Sequence, residues 1–163
     1  MLLKKYLNSF ILYNLILLIS FSLSVALINS INYINTIFYI IFHFIIIYLS
    51  LYYFRVLLYI IFFIYGLAFD LLLINQIGPH LLIFMFLLIT ISQFIKILQK
   101  TDSIKMYFLI ILIQLTAIFL EMLISKILFN YNINFNLYFN IVLISLILSF
   151  PIFLFFKKID KIK

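Results

Sequence analysis

Gly66-Leu-Ala-Phe-Asp70-Leu-Leu-Leu-Ile-Asn-Gln-Ile-Gly78-Pro79-His80-Leu-Leu82 is the stretch whose reading decides the fold of this chain. It holds both glycines of the protein, one of its two prolines, one of its four acids and one of its two histidines. Everything around it is oily. An ionised aspartate one turn from the end of an apolar run is costly in hydrocarbon, so its presence asks for a reason. Gly66 and Asp70 stand at i and i+4, on one face of a helix. Gly78 and Pro79 then stop that helix and start the next, because proline suits a first helical position. His80 falls in the first turn of the new helix. The stretch predicts a helical hairpin inside a membrane, with polar groups gathered at its bend.

Composition points the same way. With 163 residues, 69% hydrophobic and 9% charged, the chain cannot hide its apolar surface in a water-soluble core, so its solvent is lipid. The abundance of Ile, Phe, Tyr, Asn and Lys without Trp has the look of an AT-rich coding bias, and the 20% aromatic content carries little functional weight for that reason. No cysteine is present, which excludes disulfides and thiolate metal sites. The net charge of +7 comes almost wholly from Lys and reads as a topology signal; no nucleic-acid partner is implied. Met1-Leu-Leu-Lys-Lys5 leads into an apolar run without a small-residue cleavage site, so it is expected to be a retained first span.

A span needs about 20 apolar residues. The first runs over 7–28 and is closed by the polar stretch from Asn29 to Thr36. From Ile37 to Phe69 the chain is broken only by His43, Ser50 and Arg55. One straight helix of that length would measure about 50 Å against a hydrocarbon thickness of roughly 30 Å. A turn at Arg55 resolves it into spans 37–54 and 56–74. Spans 79–95, 106–129 and 137–156 follow, the last two separated by an asparagine-rich loop from Asn130 to Asn136. With six spans and a cytoplasmic N-terminus, Lys4, Lys5, Arg55, Lys96, Lys100, Lys105, Lys157, Lys158, Lys161 and Lys163 collect inside and Lys126 alone lies outside, as the positive-inside rule demands. The reading is a single six-helix transmembrane domain, all-α, with both termini cytoplasmic. It has no soluble domain and no internal repeat.

This topology sorts the buried polar residues by depth. Asp70, His80 and Glu121 fall in the outer half, and His43 near mid-membrane. Gln114, Ala117, Glu121 and Ser125 form one small-and-polar stripe on the fifth span, the kind of face by which membrane helices pack. The stripe is expected to face the bundle, with His43 and Ser50 a weaker version on the second span. Asp70 reads either as a structural anchor taking backbone N–H bonds at the bend or as a partner-binding or transport residue. Glu121 has no free backbone donors at mid-helix and reads as functional or partner-facing. His43 reads as a packed, hydrogen-bonded histidine and His80 as a wet interfacial one. The terminal Lys157–Lys163 run reads as an orientation signal that also attracts anionic lipid. No pair of His and carboxylate has metal-ligand spacing on one helix, neither histidine has a serine three or four residues away, and two glycines cannot build a phosphate loop. Neither an enzyme nor a cofactor is expected.

Gly66, Asp70, Gly78, His80 and Leu82, at that spacing, resemble the signature of the rod shape-determining MreD family, and Glu121 takes the place of that family's acid in the fifth span. Ile74 stands where the family often has glycine, and Pro79 where it has an apolar residue. The resemblance implies a non-enzymatic scaffold of the bacterial cell-elongation complex in the inner membrane. Its fold would be similar to the S-component of energy-coupling-factor transporters. It would dock the membrane helix of an MreC-like bitopic partner and connect indirectly to an MreB-like filament and RodA-type wall synthases. Gly66, Asp70, Gly78, His80, Gln114 and Glu121 would be the structural and partner-binding residues. The alternative is a small-molecule, vitamin-type binding subunit of a membrane transporter.

Overall fold

A computed structural model describes residues 2–26, 32–74, 76–98, 102–130 and 135–161. Over these residues the chain is helical: α1 (Leu2–Ala26), α2 (Asn32–Tyr52), α3 (Leu57–Leu73), α4 (Pro79–Leu98), α5 (Ser103–Phe129) and α6 (Phe135–Lys161). Three of them contain stretches long and apolar enough to cross a membrane: Tyr33–Tyr52, Ser103–Phe129 and Phe135–Asp160. Ser9–Val25, Leu57–Leu73 and Pro79–Ile95 are shorter apolar stretches.

The centre of the bundle is α2. From Phe42 to Leu51 every one of its residues is buried, as a helix apolar on all sides must be. It packs against α1, α4, α5 and α6, while α3 lies beside α1 and α4. Rings of Phe21, Phe42, Phe69 and Phe84 interlock in tilted and edge-to-face pairs across α1 to α4 at the core. The exterior is as apolar as the interior: Leu146, Ile147 and Phe150 of α6 and Ile60, Phe63 and Ile64 of α3 are exposed. That pattern belongs to a chain dissolved in lipid.

The long run 37–69 does turn at Arg55. Tyr53 N still donates to Leu49 O at 2.9 Å, and Leu58 N donates to Arg55 O at 2.9 Å to begin α3. The Arg55 guanidinium lies 5.5 Å from the centroid of the Phe10 ring of α1, a cation–π contact that fastens the break. The helices differ from the expected spans by a few residues at several ends, α1 beginning at Leu2 instead of residue 7, and two of the differences have a visible cause. Asn32 to Thr36 were expected in a loop but form the opening turns of α2, because Asn35 and Thr36 face the interior of the bundle. The last helix continues past Phe156 to Lys161, held by contacts of Asp160 described below. Asn130 closes α5 in the left-handed conformation, φ 55°, with its N–H on Lys126 O at 3.0 Å. Residues 29–31 and 131–134 of the two polar loops, and Lys100 and Lys163 of the charge count, lie outside the described residues.

Both glycines mark close approaches. A Cβ on Gly66 would stand 2.7 Å from the Cα and 3.1 Å from the N of Leu81, so α3 and α4 touch backbone to backbone there. A Cβ on Gly78 would stand 2.8 Å from Cε2 of Phe129, where the bend meets the end of α5. The two obstacles differ in kind, because a ring can turn aside and a backbone cannot. Gly66→Ala is therefore expected to lower stability by about 1–3 kcal/mol, the usual cost of overpacking, and Gly78→Ala by less. Thermal unfolding of the two purified variants in detergent checks that order.

Candidate functional site

The carboxylate of Asp70, one turn before the end of α3 and fully buried, accepts four hydrogen bonds. Its Oδ2 takes Gly78 N at 2.9 Å and Leu81 N at 3.0 Å, and its Oδ1 takes His80 N at 3.0 Å and His80 Nδ1 at 2.8 Å. These are the amides that open α4, groups that no earlier turn of that helix can satisfy. Pro79 has no N–H and removes the one amide the carboxylate does not reach. The first bond within α4, Leu82 N to Gly78 O at 3.3 Å, starts where the carboxylate stops. Asp70 is thus an N-cap supplied from a neighbouring helix, and the positive end of α4 faces its charge.

From His80 the polar contacts run on. Its ring is stacked on Phe69, centroids 5.3 Å apart and 18° between planes. Its Nε2 lies 3.4 Å from the Tyr39 hydroxyl of α2, at the long limit of a hydrogen bond. Tyr39 also makes a short hydrogen bond to Glu121 Oε2 of α5. The same carboxylate meets His43 Nε2, at 3.0 Å from Oε1 and 3.2 Å from Oε2. His43 Nδ1 is 2.9 Å from the carbonyl of Tyr39, which can only accept, so Nδ1 carries a proton. Asp70, His80, Tyr39, Glu121 and His43 form one continuous chain of ionisable side chains across four helices.

The sequence-predicted residues are placed as follows. Gly66, Asp70, Gly78 and His80 gather at the α3–α4 bend. Glu121 joins them through Tyr39, seven residues along α5 from Gln114, whose Nε2 donates to Ile40 O at 2.9 Å. Gln114, Ala117 and Glu121 are buried, Gln114 and Glu121 bonded to α2 and Ala117 bordering the groove between α4 and α5, while Ser125 is half-buried. His80, read as a wet interfacial residue, is 6% exposed: Asp70 and Phe69 hold its ring, which borders the cavity at the bend instead of lying at the surface. One member of the chain was not foreseen. Tyr39 was hidden among 12 tyrosines. His43 is packed and hydrogen-bonded as read, and what the sequence left hidden is its partner, Glu121.

A second cluster lies at the other end of the bundle. Tyr13 of α1, Tyr48 of α2 and Tyr53 just beyond it all donate to the Asp160 carboxylate of α6, the first at 2.9 Å. The terminal run that reads as a charge signal therefore also holds α6 against α1 and α2. Among the described residues, no three His, Asp or Glu converge as a metal site.

No family model, curated protein or solved structure matches the chain.

Asp70→Asn removes the charge and sets an NH2 donor where one oxygen accepts two of the four hydrogen bonds, whereas removing Gln114 loses one neutral bond. Asp70→Asn is expected to cost about 2–4 kcal/mol and Gln114→Leu about 0.5–1.5 kcal/mol, and denaturation curves in detergent should rank them so.

Proposed function

We propose that this protein is a six-span scaffold of the bacterial inner membrane, both termini cytoplasmic, that docks the membrane helix of an MreC-like bitopic partner within the cell-elongation complex. An MreB-like filament and RodA-type wall synthases would be its indirect partners, and its role would be non-enzymatic. The observation that carries the reading is the bend itself. The five residues that resemble the MreD signature are gathered in one hairpin, with Asp70 directed at backbone amides and not at an opening to the exterior. A signature of that kind specifies a helix pair rather than a ligand.

The outer surface suits helix-on-helix docking. A groove between α4 and α5 presents Thr90, Thr116 and Ala117 among Ile and Leu side chains and the ring of Phe86. Small residues of this kind let a further helix approach, and interhelical polar contacts in membranes contribute about 0.6–2 kcal/mol each. Both threonine hydroxyls are bonded to carbonyls of their own helix, so they add shape and little polarity.

One observation favours the alternative, a small-molecule binding subunit. Where the α3–α4 bend lies, a cavity of about 240 Å³ runs inward to Tyr39 and His80. It is below the roughly 300–1,000 Å³ of ordinary ligand pockets, which weighs toward the scaffold. Thermal shift of the purified protein against vitamins tests it, because a ligand bound only by the folded form raises stability.

The scaffold reading predicts co-purification of a single-span, coiled-coil-bearing protein from detergent extracts, and rounding of rod-shaped cells when the gene is lost. The double substitution Asp70→Leu, Glu121→Leu should abolish both the complex and the shape. Normal shape and an intact complex in that variant would sink the roles given to these residues.

A further inference from the structure

The five-group chain has a property that a static clamp does not need: its hydrogen bonds can be drawn in two ways on the same atoms. With a proton on both nitrogens of each imidazole, Nδ1–H of His80 on Asp70 and Nδ1–H of His43 on the Tyr39 carbonyl, one arrangement has His80 donating Nε2–H to the Tyr39 oxygen, Tyr39 donating its O–H to Glu121 Oε2, and His43 donating Nε2–H to Glu121 Oε1. In the other, His80 has passed its Nε2 proton to Tyr39 as Tyr39 passed its own to Glu121. Glu121 Oε2–H now donates to Tyr39, and Tyr39 donates to His80 Nε2. One N–H and one O–H bond break, two O–H bonds form, and the net charge is unchanged. No heavy atom moves and no group loses a partner.

The chain also has a way in on one side only, toward the bend. The cavity of about 240 Å³ at the bend has walls from all six helices, and its polar lining is Ser24, Asn35, Thr36, Tyr39 and His80. At about 30 Å³ per water it has room for several, and Asn35 Oδ1 has no hydrogen-bond partner among the described residues. The far end is closed. Beyond His43 come Ile46 and Ile47, both buried, and then Ser50, whose hydroxyl is bonded to Ile46 O. The port touches the chain at its second link, the 3.4 Å contact between His80 and Tyr39.

We propose that this chain is a proton-binding site: the bundle takes up and releases a proton through the bend-end cavity and shares it among Asp70, His80, Tyr39, Glu121 and His43. The site stores a proton and does not conduct one across the bundle. Few other ionisable groups approach it. Among the described residues, the facing parts of α1 and α6 present serines and Tyr138, whose hydroxyl is bonded to Leu115 O. Lys126 of α5 is exposed beyond Glu121. The inference is independent of any partner protein.

Interacting groups titrate as a unit, and that is what an experiment can read. Full-length protein labelled with ¹⁵N-histidine in lipid bilayers, observed by solid-state NMR from about pH 4 to 9, reports the protonation of each imidazole nitrogen. The expected result is that His43 and His80 change over one shared pH interval with curves that do not fit independent sites. Tyr39→Phe keeps the ring and the carbonyl that holds His43 but removes the link, and should separate the two curves. Glu121→Gln should shift the His80 signals although the two side chains are not in contact. Independent curves in the unmodified protein, silence of both histidines over the range, or curves untouched by Tyr39→Phe would overturn the proposal. Should Tyr39→Phe fail to fold, the unmodified protein's curves and Glu121→Gln decide.

Discussion

The contact on which the rest of this structure depends is a carboxylate closing the start of a neighbouring helix. The opening amides of α4 lie at a buried bend, where no earlier turn of their own helix can serve them. Asp70 answers with both oxygens, and in doing so fixes where α3 ends, where α4 begins and how His80 is turned. Gly66 lets the two helices approach until their backbones touch, and Gly78 seats the bend against Phe129. The oriented His80 ring then reaches Tyr39, and through it Glu121 and His43. An aspartate that is expensive in hydrocarbon becomes tolerable because four donors converge on it.

The same economy explains why α2 can be buried on nearly every side. A central helix must touch its neighbours through something more specific than oil, since lipid offers no hydrophobic drive toward association. Here α5 supplies two polar residues seven apart, Gln114 to the Ile40 carbonyl and Glu121 to His43 and Tyr39. Each fixes the register of α5 on α2 to within a residue. The other end is fixed by Asp160, which draws together α1, α2 and α6 through three phenols.

Much of this was legible in the sequence, and the parts that were not share a cause. The hairpin at the bend, the turn at Arg55 and the inward stripe of Gln114, Ala117 and Glu121 follow from local spacing and from the cost of polar groups in lipid. The membership of Tyr39, the depth of His80 and the cluster on Asp160 depend on which helices become neighbours, and nothing in a single helix's periodicity says that. Tyrosine was the hardest to read. Its hydroxyl is informative only when it meets a carboxylate, and in a composition so rich in Tyr most rings are apolar filler. Helix ends were misjudged for a related reason: Asn35 and Asp160 look like loop or surface residues until the groups they face are known.

The four acids sort this chain into what must be kept and what can drift. Asp102 is exposed and 3.6 Å from exposed Lys105, a pairing worth little in water. Asp70, Glu121 and Asp160 each gather donors from other helices, and their loss would leave buried amides, imidazoles or phenols unmatched. Between these clamps the helices are built from Ile, Leu and Phe, whose exchange at a lipid-facing position alters neither hydrogen bonding nor the water-exposed area. A coding bias toward such residues can therefore rewrite most of the surface without moving a helix. The register survives because it is set by polar contacts at the two ends, and lipid has no donor or acceptor with which to compete for them.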